Sequence, residues 1–285
     1  MGESRYTPVE IKARLKRVSV PAPPIKAAPD IRSELSSFKP PPAVRISMDG
    51  DERFLPVEIF FGKAEGDDRK FINDHDTVVS FINGFGSREM REEATQHLID
   101  VLSLFGNEEP FSNMVKTAKA LFNLKNGQIA SLEFIKKIAF ESRIDWKRDT
   151  LISVMPAFGS APIIDSFLLF SEIGINTLQS SATQIVELGF RLKEEQSIEE
   201  IGRTIIGLNK KFGKHTTLGY RGAILQIAKK DKIPDEDKPG IVHAVSEKIL
   251  SFDSDIKVLD FSMFLENALG TNNPREAVLG LCKSP

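Results

Sequence analysis

The stretch "SIEEIGRTIIGLNKKFGKHTT", residues 197–217, decides how the chain folds in this region. Its large apolar residues are spaced three and four positions apart: Ile198, Ile201, Ile205, Leu208 and Phe212. That spacing places them on one face of a helix. A capping-box pattern beginning at Ser197 predicts the start of this helix, and Gly213 predicts its end. The stretch therefore predicts an amphipathic helix over 198–212.

The glycines of this stretch also resemble those of a loop that binds nucleotide phosphates. Such a loop needs four residues between its two glycines and a hydroxyl residue directly after its lysine. Here five residues separate Gly207 from Gly213, and His215 stands where the hydroxyl should be. We therefore predict a helix end in this place, not a nucleotide site.

Comparable helical patterns follow one another along most of the chain. Together they predict a mainly α fold, either a multi-helix bundle or an irregular helical stack. The predicted helices lie near 76–82, 88–105, 111–125, 131–142, 146–155, 162–173, 177–194, 198–212, 217–230, 239–251, 260–269 and 274–282. The most apolar stretch, 151–170, is interrupted by Pro156 and Gly159, so it predicts two buried helices and no transmembrane segment.

The N-terminal part of the chain has a different composition. Nine of the 16 prolines lie in the first 56 residues, and residues 1–39 carry eight Lys or Arg against four Asp or Glu. This predicts an extended, basic, proline-rich arm over 1–45. Alternating residues around an Asp-Gly turn, "AVRISM" and then "VEIFFG" within 43–62, predict a small β-hairpin. We divide the rest into a region 46–155, which contains this hairpin and the first helices, and a C-terminal helical region 156–285.

Positive charge is concentrated in residues 203–232, which hold eight Lys or Arg and the single acid Asp231, although the whole chain has a net charge of −2. Such a concentration favours a surface that binds RNA or another polyanion. The candidate binding residues are Arg203, Lys210, Lys211, Lys214, Tyr220, Arg221, Lys229 and Lys230, with Tyr220 as a ring on which a base could stack. Two alternatives stay open: contact with an anionic membrane surface, and lysines that only stabilise helix C-termini.

Catalytic and metal-binding patterns are not found. The chain has one cysteine, Cys282, and four histidines with no spacing suited to a metal, so we predict no metal, no cofactor and no enzyme activity. With no signal peptide pattern and no disulfide possible within the chain, we expect a cytoplasmic protein.

The function that these features predict is non-enzymatic binding and assembly. A basic arm, a helical body and a basic surface are what a nucleocapsid or coat-like viral structural subunit needs, with self-association through the N-terminal arm. The alternative is a helical adaptor or effector-like protein that binds other proteins. A third possibility is an enzyme whose site is assembled from distant residues.

Overall fold

The chain folds into a succession of helices joined by short turns, as the apolar periodicity of its sequence predicts. The computed structural model describes residues 43–48, 51–56, 77–78, 80–105 and 108–284. From Arg88 to Lys283 the described chain forms eleven α-helices and one 3-10 helix. The α-helices are α1 (Arg88–Phe105), α2 (Glu108–Phe122), α3 (Gly127–Glu141), α4 (Asp145–Phe158), α5 (Ala161–Ile173), α6 (Ile175–Leu192), α7 (Glu195–Phe212), α8 (Lys214–Lys229), α9 (Lys238–Ser251), α10 (Asp255–Leu269) and α11 (Pro274–Lys283), and the 3-10 helix is Asp235–Asp237.

The mainly α, multi-helix fold is confirmed. Most predicted helices lie within a few residues of the observed bounds, and α1 has the predicted bounds of 88–105. The helix predicted over 146–155 runs on through Pro156 to Phe158. The predicted boundary between residues 155 and 156 falls inside this helix, and the division into two helical regions stays a prediction.

Two strands precede the helices. β1 (Ala43–Met48) and β2 (Asp51–Pro56) pair antiparallel, with Ala43 opposite Pro56 and Met48 opposite Asp51. Residues 57–62, which were expected to form the second strand, lie outside the described residues. So do residues 1–42 of the arm predicted over 1–45. The β-hairpin predicted within 43–62, with its second strand over 57–62, and the extended arm therefore stay predictions.

The ends of several helices differ from the expected ones. Ser197 is not an N-cap, because α7 begins two residues earlier and Ser197 is buried inside it. Gly127 follows the helix predicted over 111–125 and begins α3, where an added Cβ would lie 1.8 Å from the carbonyl oxygen of Leu121. The predicted stop at Gly213 is confirmed, and its φ of +89° is a conformation that favours glycine.

α7 packs against helices from both the N-terminal and the C-terminal part of the body. It packs against α4, α5 and α6 on the N-terminal side and against α8 and α9 on the C-terminal side. The predicted apolar stripe of Ile198, Ile201, Ile205 and Leu208 is buried along it. The two helices α7 and α5 approach closely at Gly202, where a Cβ would lie 2.8 Å from the carbonyl carbon of Pro162.

No single helix among the described residues is both long and apolar enough to cross a membrane. α4 and α5 reach that apolarity only when taken together, and they are bent by 78° at the break between them.

The close approach at Gly202 gives a stability prediction. Gly202→Ala should lower the free energy of unfolding by about 1–3 kcal/mol, because the added methyl group meets backbone atoms of α5 that cannot rotate away. Gly222→Ala on α8 is the matched control, since its added Cβ has no neighbour within 4 Å. The control should be neutral or gain up to about 1 kcal/mol of helix propensity. Urea denaturation of both variants measures the difference, and equal effects would refute the close packing.

Candidate functional site

The basic stretch is divided between the two ends of one helix. α7 and α8 are joined through Gly213 alone, so Lys210, Lys211 and Lys214 lie around the N-terminal end of α8. Lys229 and Lys230 lie at its C-terminal end. Fifteen helical rises separate Lys214 from Lys229, or about 22 Å along the axis. The predicted residues therefore do not form one compact cluster.

Two of the lysines near the α7–α8 junction are engaged within the protein. The Nζ of Lys211 donates to the carbonyl oxygen of Leu250 at 3.0 Å and to that of Phe252, so it caps the C-terminal end of α9. The Nζ of Lys214 lies 3.0 Å from a carboxylate oxygen of Glu172. Exposed ion pairs of this kind are weak, so Lys214 can be recruited by a ligand more readily than Lys211.

The two arginines also have partners in the protein. Arg203 is exposed and forms an ion pair with Glu199 at 3.1 Å. Arg221 is half-buried: it donates to the carbonyl oxygen of Thr177 at 3.3 Å and to the Oγ of Ser181, and its guanidinium lies 4.9 Å from the centre of the Phe170 ring. Burial lowers the pKa of Arg221 from its ordinary value. Arg221 thus ties α8 to α5 and α6.

A small cavity lies beside Arg221. Its volume is about 20 Å³, and its lining is mostly apolar side chains of α5, α6 and α7. The Oε1 of Gln184, which also lines it, is buried and accepts no hydrogen bond from the described residues. A space of this size with one free acceptor and an arginine suits a single water molecule rather than a ligand.

Tyr220 was expected to offer a ring for base stacking, and this expectation is corrected. Its side chain is 0% exposed, and its hydroxyl forms a 2.6 Å hydrogen bond with the Oγ of Ser246 on α9. Burial raises the pKa of the Tyr220 hydroxyl far above its ordinary value. Tyr220 is a core residue that joins α8 to α9, so the candidate surface loses its predicted aromatic group.

Four lysines of the basic stretch remain available at the surface. Lys210, Lys229 and Lys232 are exposed and Lys230 is half-exposed, and none of them forms an ion pair with another described residue. Lys229 and Lys230 line a wide, shallow depression of about 380 Å³ together with Gln226 and Glu266. With Lys232 two residues further on, the C-terminal end of α8 holds the densest group of unpaired cations within 203–232.

A second surface was missed by the sequence analysis. At the turn from α3 to α4, three large apolar side chains are exposed: Phe140 by 63%, Ile144 by 43% and Trp146 by 51%. We call these three residues the α3–α4 corner. The Nζ atoms of Lys147 and Lys193 each lie 5.6 Å from the centre of the Trp146 ring, within the range of a cation–π contact. Helical periodicity alone could not reveal this surface, because it does not show which apolar side chains of α3 the neighbouring helices cover.

An ion-pair cluster holds this corner in place. Glu141 is buried, and its carboxylate accepts hydrogen bonds from Lys137 at 2.6 Å and from Lys147 at 2.5 Å. Burial opposes the ionisation of Glu141, but the two lysines outweigh it and the pKa of Glu141 lies below its ordinary value. Since Lys147 lies in the first turn of α4 and Lys137 lies on α3, the buried carboxylate ties the two helices together.

A third surface lies on α10. Four large apolar side chains on one side of this helix are exposed: Ile256 by 65%, Leu259 by 50%, Met263 by 65% and Phe264 by 59%. We call them the outer face of α10. The opposite side of the same helix is buried through Val258, Phe261, Leu265 and Leu269, against α8 and α11. α10 therefore leaves large apolar side chains exposed on one side, although its opposite side is already packed in the body.

Neither metal binding nor similarity to known proteins identifies a function for this chain. Among the described residues, no group of three or more His, Cys, Asp or Glu side chains is placed to hold a metal ion. The expectation of no metal and no cofactor stays a prediction. No family model, no curated protein and no solved structure matches this chain. The function is therefore inferred from its own surfaces.

The Glu141 cluster gives a pH-dependent prediction. Because the pKa of Glu141 is lowered by folding, its stabilising contribution is present above the ordinary pKa of 4.5 and is lost as the pH falls through the lowered value. Glu141→Gln should cost about 1–3 kcal/mol at pH 7, and the difference from the unmodified protein should shrink below pH 4.5.

Urea denaturation at several pH values tests this. The matched control is Glu133→Gln on the same helix, where the carboxylate is more exposed and lies 3.8 Å from Lys136. It should change the free energy of unfolding by less than about 0.5 kcal/mol at every pH. A loss in Glu141→Gln that does not depend on pH would contradict the ion-pair account.

Proposed function

We propose that the chain is a non-enzymatic binding and assembly protein that holds a polyanion of the RNA type through the lysines of its basic stretch. The observation that carries the proposal is the group of unpaired lysines, Lys229, Lys230 and Lys232, at the C-terminal end of α8, with Lys210 near the other end. These side chains are available to an external partner, because none of them forms an ion pair with a carboxylate of the described residues.

The spacing of these lysines suits an extended ligand better than a small one. α8 is about 22 Å long between Lys214 and Lys229, with Lys210 near one end and Lys229 at the other. This length spans several phosphates of one strand, which follow one another at about 3.4 Å along a duplex axis. A depression that is shallow and open, such as the one beside Lys229, leaves room for a continuous backbone. A single small anion would gain contact with only one end of the helix.

The helix dipole accounts for only part of this arrangement. Lys210 and Lys229 lie in the last turns of α7 and α8, where a cation gains about 0.3–1 kcal/mol from the dipole. Lys232 lies beyond the end of α8 and gains little from that source. The concentration of cations there is better explained by an anionic partner.

Assembly is the second half of the proposal. Monomeric proteins rarely leave several large apolar side chains exposed side by side, and both the α3–α4 corner and the outer face of α10 do so. A subunit that binds a long polyanion and its neighbours along it would be of the nucleocapsid or coat type. Self-association through residues 1–45 and a cytoplasmic location remain parts of this proposal.

The same exposed surfaces favour the second candidate function, a helical adaptor that binds other proteins. Phe140 and Trp146 at the α3–α4 corner are of the residue type that dominates protein interfaces. This candidate predicts apolar docking with no dependence on Lys229, Lys230 or Lys232. Charge reversal of these lysines therefore separates the two functions.

The lysine group is tested by a triple charge reversal. Lys229→Glu, Lys230→Glu and Lys232→Glu together should weaken binding of a labelled mixed-sequence single-stranded RNA at least tenfold at low salt. The slope of log K against log salt should fall by about 2–3, because up to three phosphate contacts are lost. Fluorescence anisotropy over a series of salt concentrations measures both quantities.

The matched control is the triple variant Lys116→Glu, Lys119→Glu and Lys125→Glu. These three lysines are also exposed and lie in or just after α2, so the change in net charge is the same. The control should bind RNA with nearly unchanged affinity and slope. If both triple variants lose the same affinity, or if the unmodified protein binds anionic lipid vesicles but no RNA, the proposal is wrong.

A further inference from the structure

We propose that the depression between the C-terminal ends of α8 and α10 holds a base of the bound strand, with guanine preferred, while the lysines beside it hold the phosphates. The inference rests on the proposed function, because it concerns the same RNA-type ligand at the same lysines. It deepens that function by naming which part of the ligand each side of the site contacts.

The depression lies where two packed helices end next to each other. α8 ends at Lys229 and α10 at Leu269, and the two helices contact one another. The depression is lined from both helix ends by Gln226, Lys229, Lys230, Glu266, Leu269 and Gly270. Its volume of about 380 Å³ lies within the range of pockets for small organic groups, about 300–1,000 Å³, so it has room for a base.

The part of the lining between the two helices presents hydrogen-bond acceptors. The Nε2 of Gln226 donates to the Oε1 of Glu266 at 3.2 Å, and both side chains are exposed. A carboxylate has about four acceptor positions, so Glu266 can accept further hydrogen bonds from a ligand through both of its oxygens. The negative ends of the two helix dipoles lie here as well. This part of the depression therefore favours ligand groups that donate hydrogen bonds over phosphate.

The cations lie on the α8 side of the depression and just beyond it. Lys229 and Lys230 line it, and Lys232 follows in the chain. None of them forms an ion pair with Glu266 or with another carboxylate in the described part of the chain. Cations and acceptors thus stand side by side without neutralising each other. A nucleotide carries the complementary pair of groups, a phosphate and a base with N–H donors.

The acceptors of Glu266 select among the four bases. Single-stranded RNA is read specifically through the Watson–Crick edges of its bases. On that edge guanine has two adjacent donors, N1–H and the 2-amino group, which match the two oxygens of one carboxylate. Adenine, cytosine and uracil each place an acceptor beside their donor, and that acceptor would face the carboxylate. Guanine is therefore the base that this site should prefer.

The experiment compares labelled oligouridine strands in which one central uridine is kept or is replaced by guanosine, inosine or adenosine. Full-length protein freed of nucleic acid is titrated at low salt, and fluorescence anisotropy gives the affinities. Guanosine should tighten binding at least about fivefold over uridine, as a bidentate contact to one base does. Inosine lacks the 2-amino group and should lose most of this gain, and adenosine should show none.

One variant removes the carboxylate without removing the lysines. Glu266→Gln replaces one acceptor oxygen by an amide nitrogen, so the preference for guanosine should disappear. The variant should still bind the all-uridine strand with an unchanged salt slope, which shows that its fold and its lysines are intact. Asp260→Asn is the matched control, because Asp260 is exposed on the same helix but does not line the depression. This control should keep the preference for guanosine.

The inference is overturned if guanosine and uridine strands bind equally, if Glu266→Gln keeps the preference, or if Asp260→Asn loses it to the same extent. Displacement of the strand by an equimolar amount of guanosine monophosphate would also overturn it, because the depression would then be a site for free nucleotides. The proposed function is judged separately. Strands that bind without any base preference refute only the inference, whereas a protein that binds none of the strands refutes both.

Discussion

The close crossing of α7 over α5 at Gly202 is the contact on which the rest of the body depends. A side chain at this position would overlap the backbone at Pro162 and Ile163, so only glycine allows the two helices to approach so closely. The approach buries the apolar stripe of α7 between helices on both sides of it. Helices that are separated in the sequence are thereby held in one body, and the surfaces they carry keep fixed positions.

Several lysine and arginine side chains near α7 form contacts within the protein that hold its helices together. Lys211 caps the end of α9, and Arg221 ties α8 to α5 and α6 through hydrogen bonds and a ring contact. Such contacts bury or occupy cations that a sequence count would assign to a ligand. What remains for a partner is set by geometry: the lysines that extend beyond the reach of any carboxylate in the described part of the chain, chiefly at the C-terminal end of α8.

The helices could be predicted from the sequence because their signals are local. The stripe from Ile198 to Leu208 and the glycine at 213 are enough to place most of α7 and its end. The position of the capping residue could not be predicted in this way: Ser197 fits a capping box but is buried inside the helix that begins before it. Its hydroxyl instead bonds the carboxylate of Glu194, which no local pattern specifies.

The exposure of individual side chains could not be predicted, because it depends on neighbours distant in the sequence. Tyr220 lies in a basic segment but is enclosed by α9, whereas Phe140 ends an apolar helix but is exposed. The outer face of α10 lies beside a second apolar side of the same helix, so its periodicity predicts a helix without indicating which side faces outward. The candidate assembly surfaces therefore emerge only from the packing.

Native-state hydrogen exchange tests most directly whether α7 holds the helices in one body. The amides of Ile201, Ile205 and Leu208 should exchange only through global unfolding. Their free energy of opening should equal that from urea denaturation, and core amides of α3 and α9, such as those of Ile135 and Val245, should agree within about 1 kcal/mol. If the helices before residue 156 and those after it open separately with clearly different free energies, while α7 exchanges with only one group, the account is wrong.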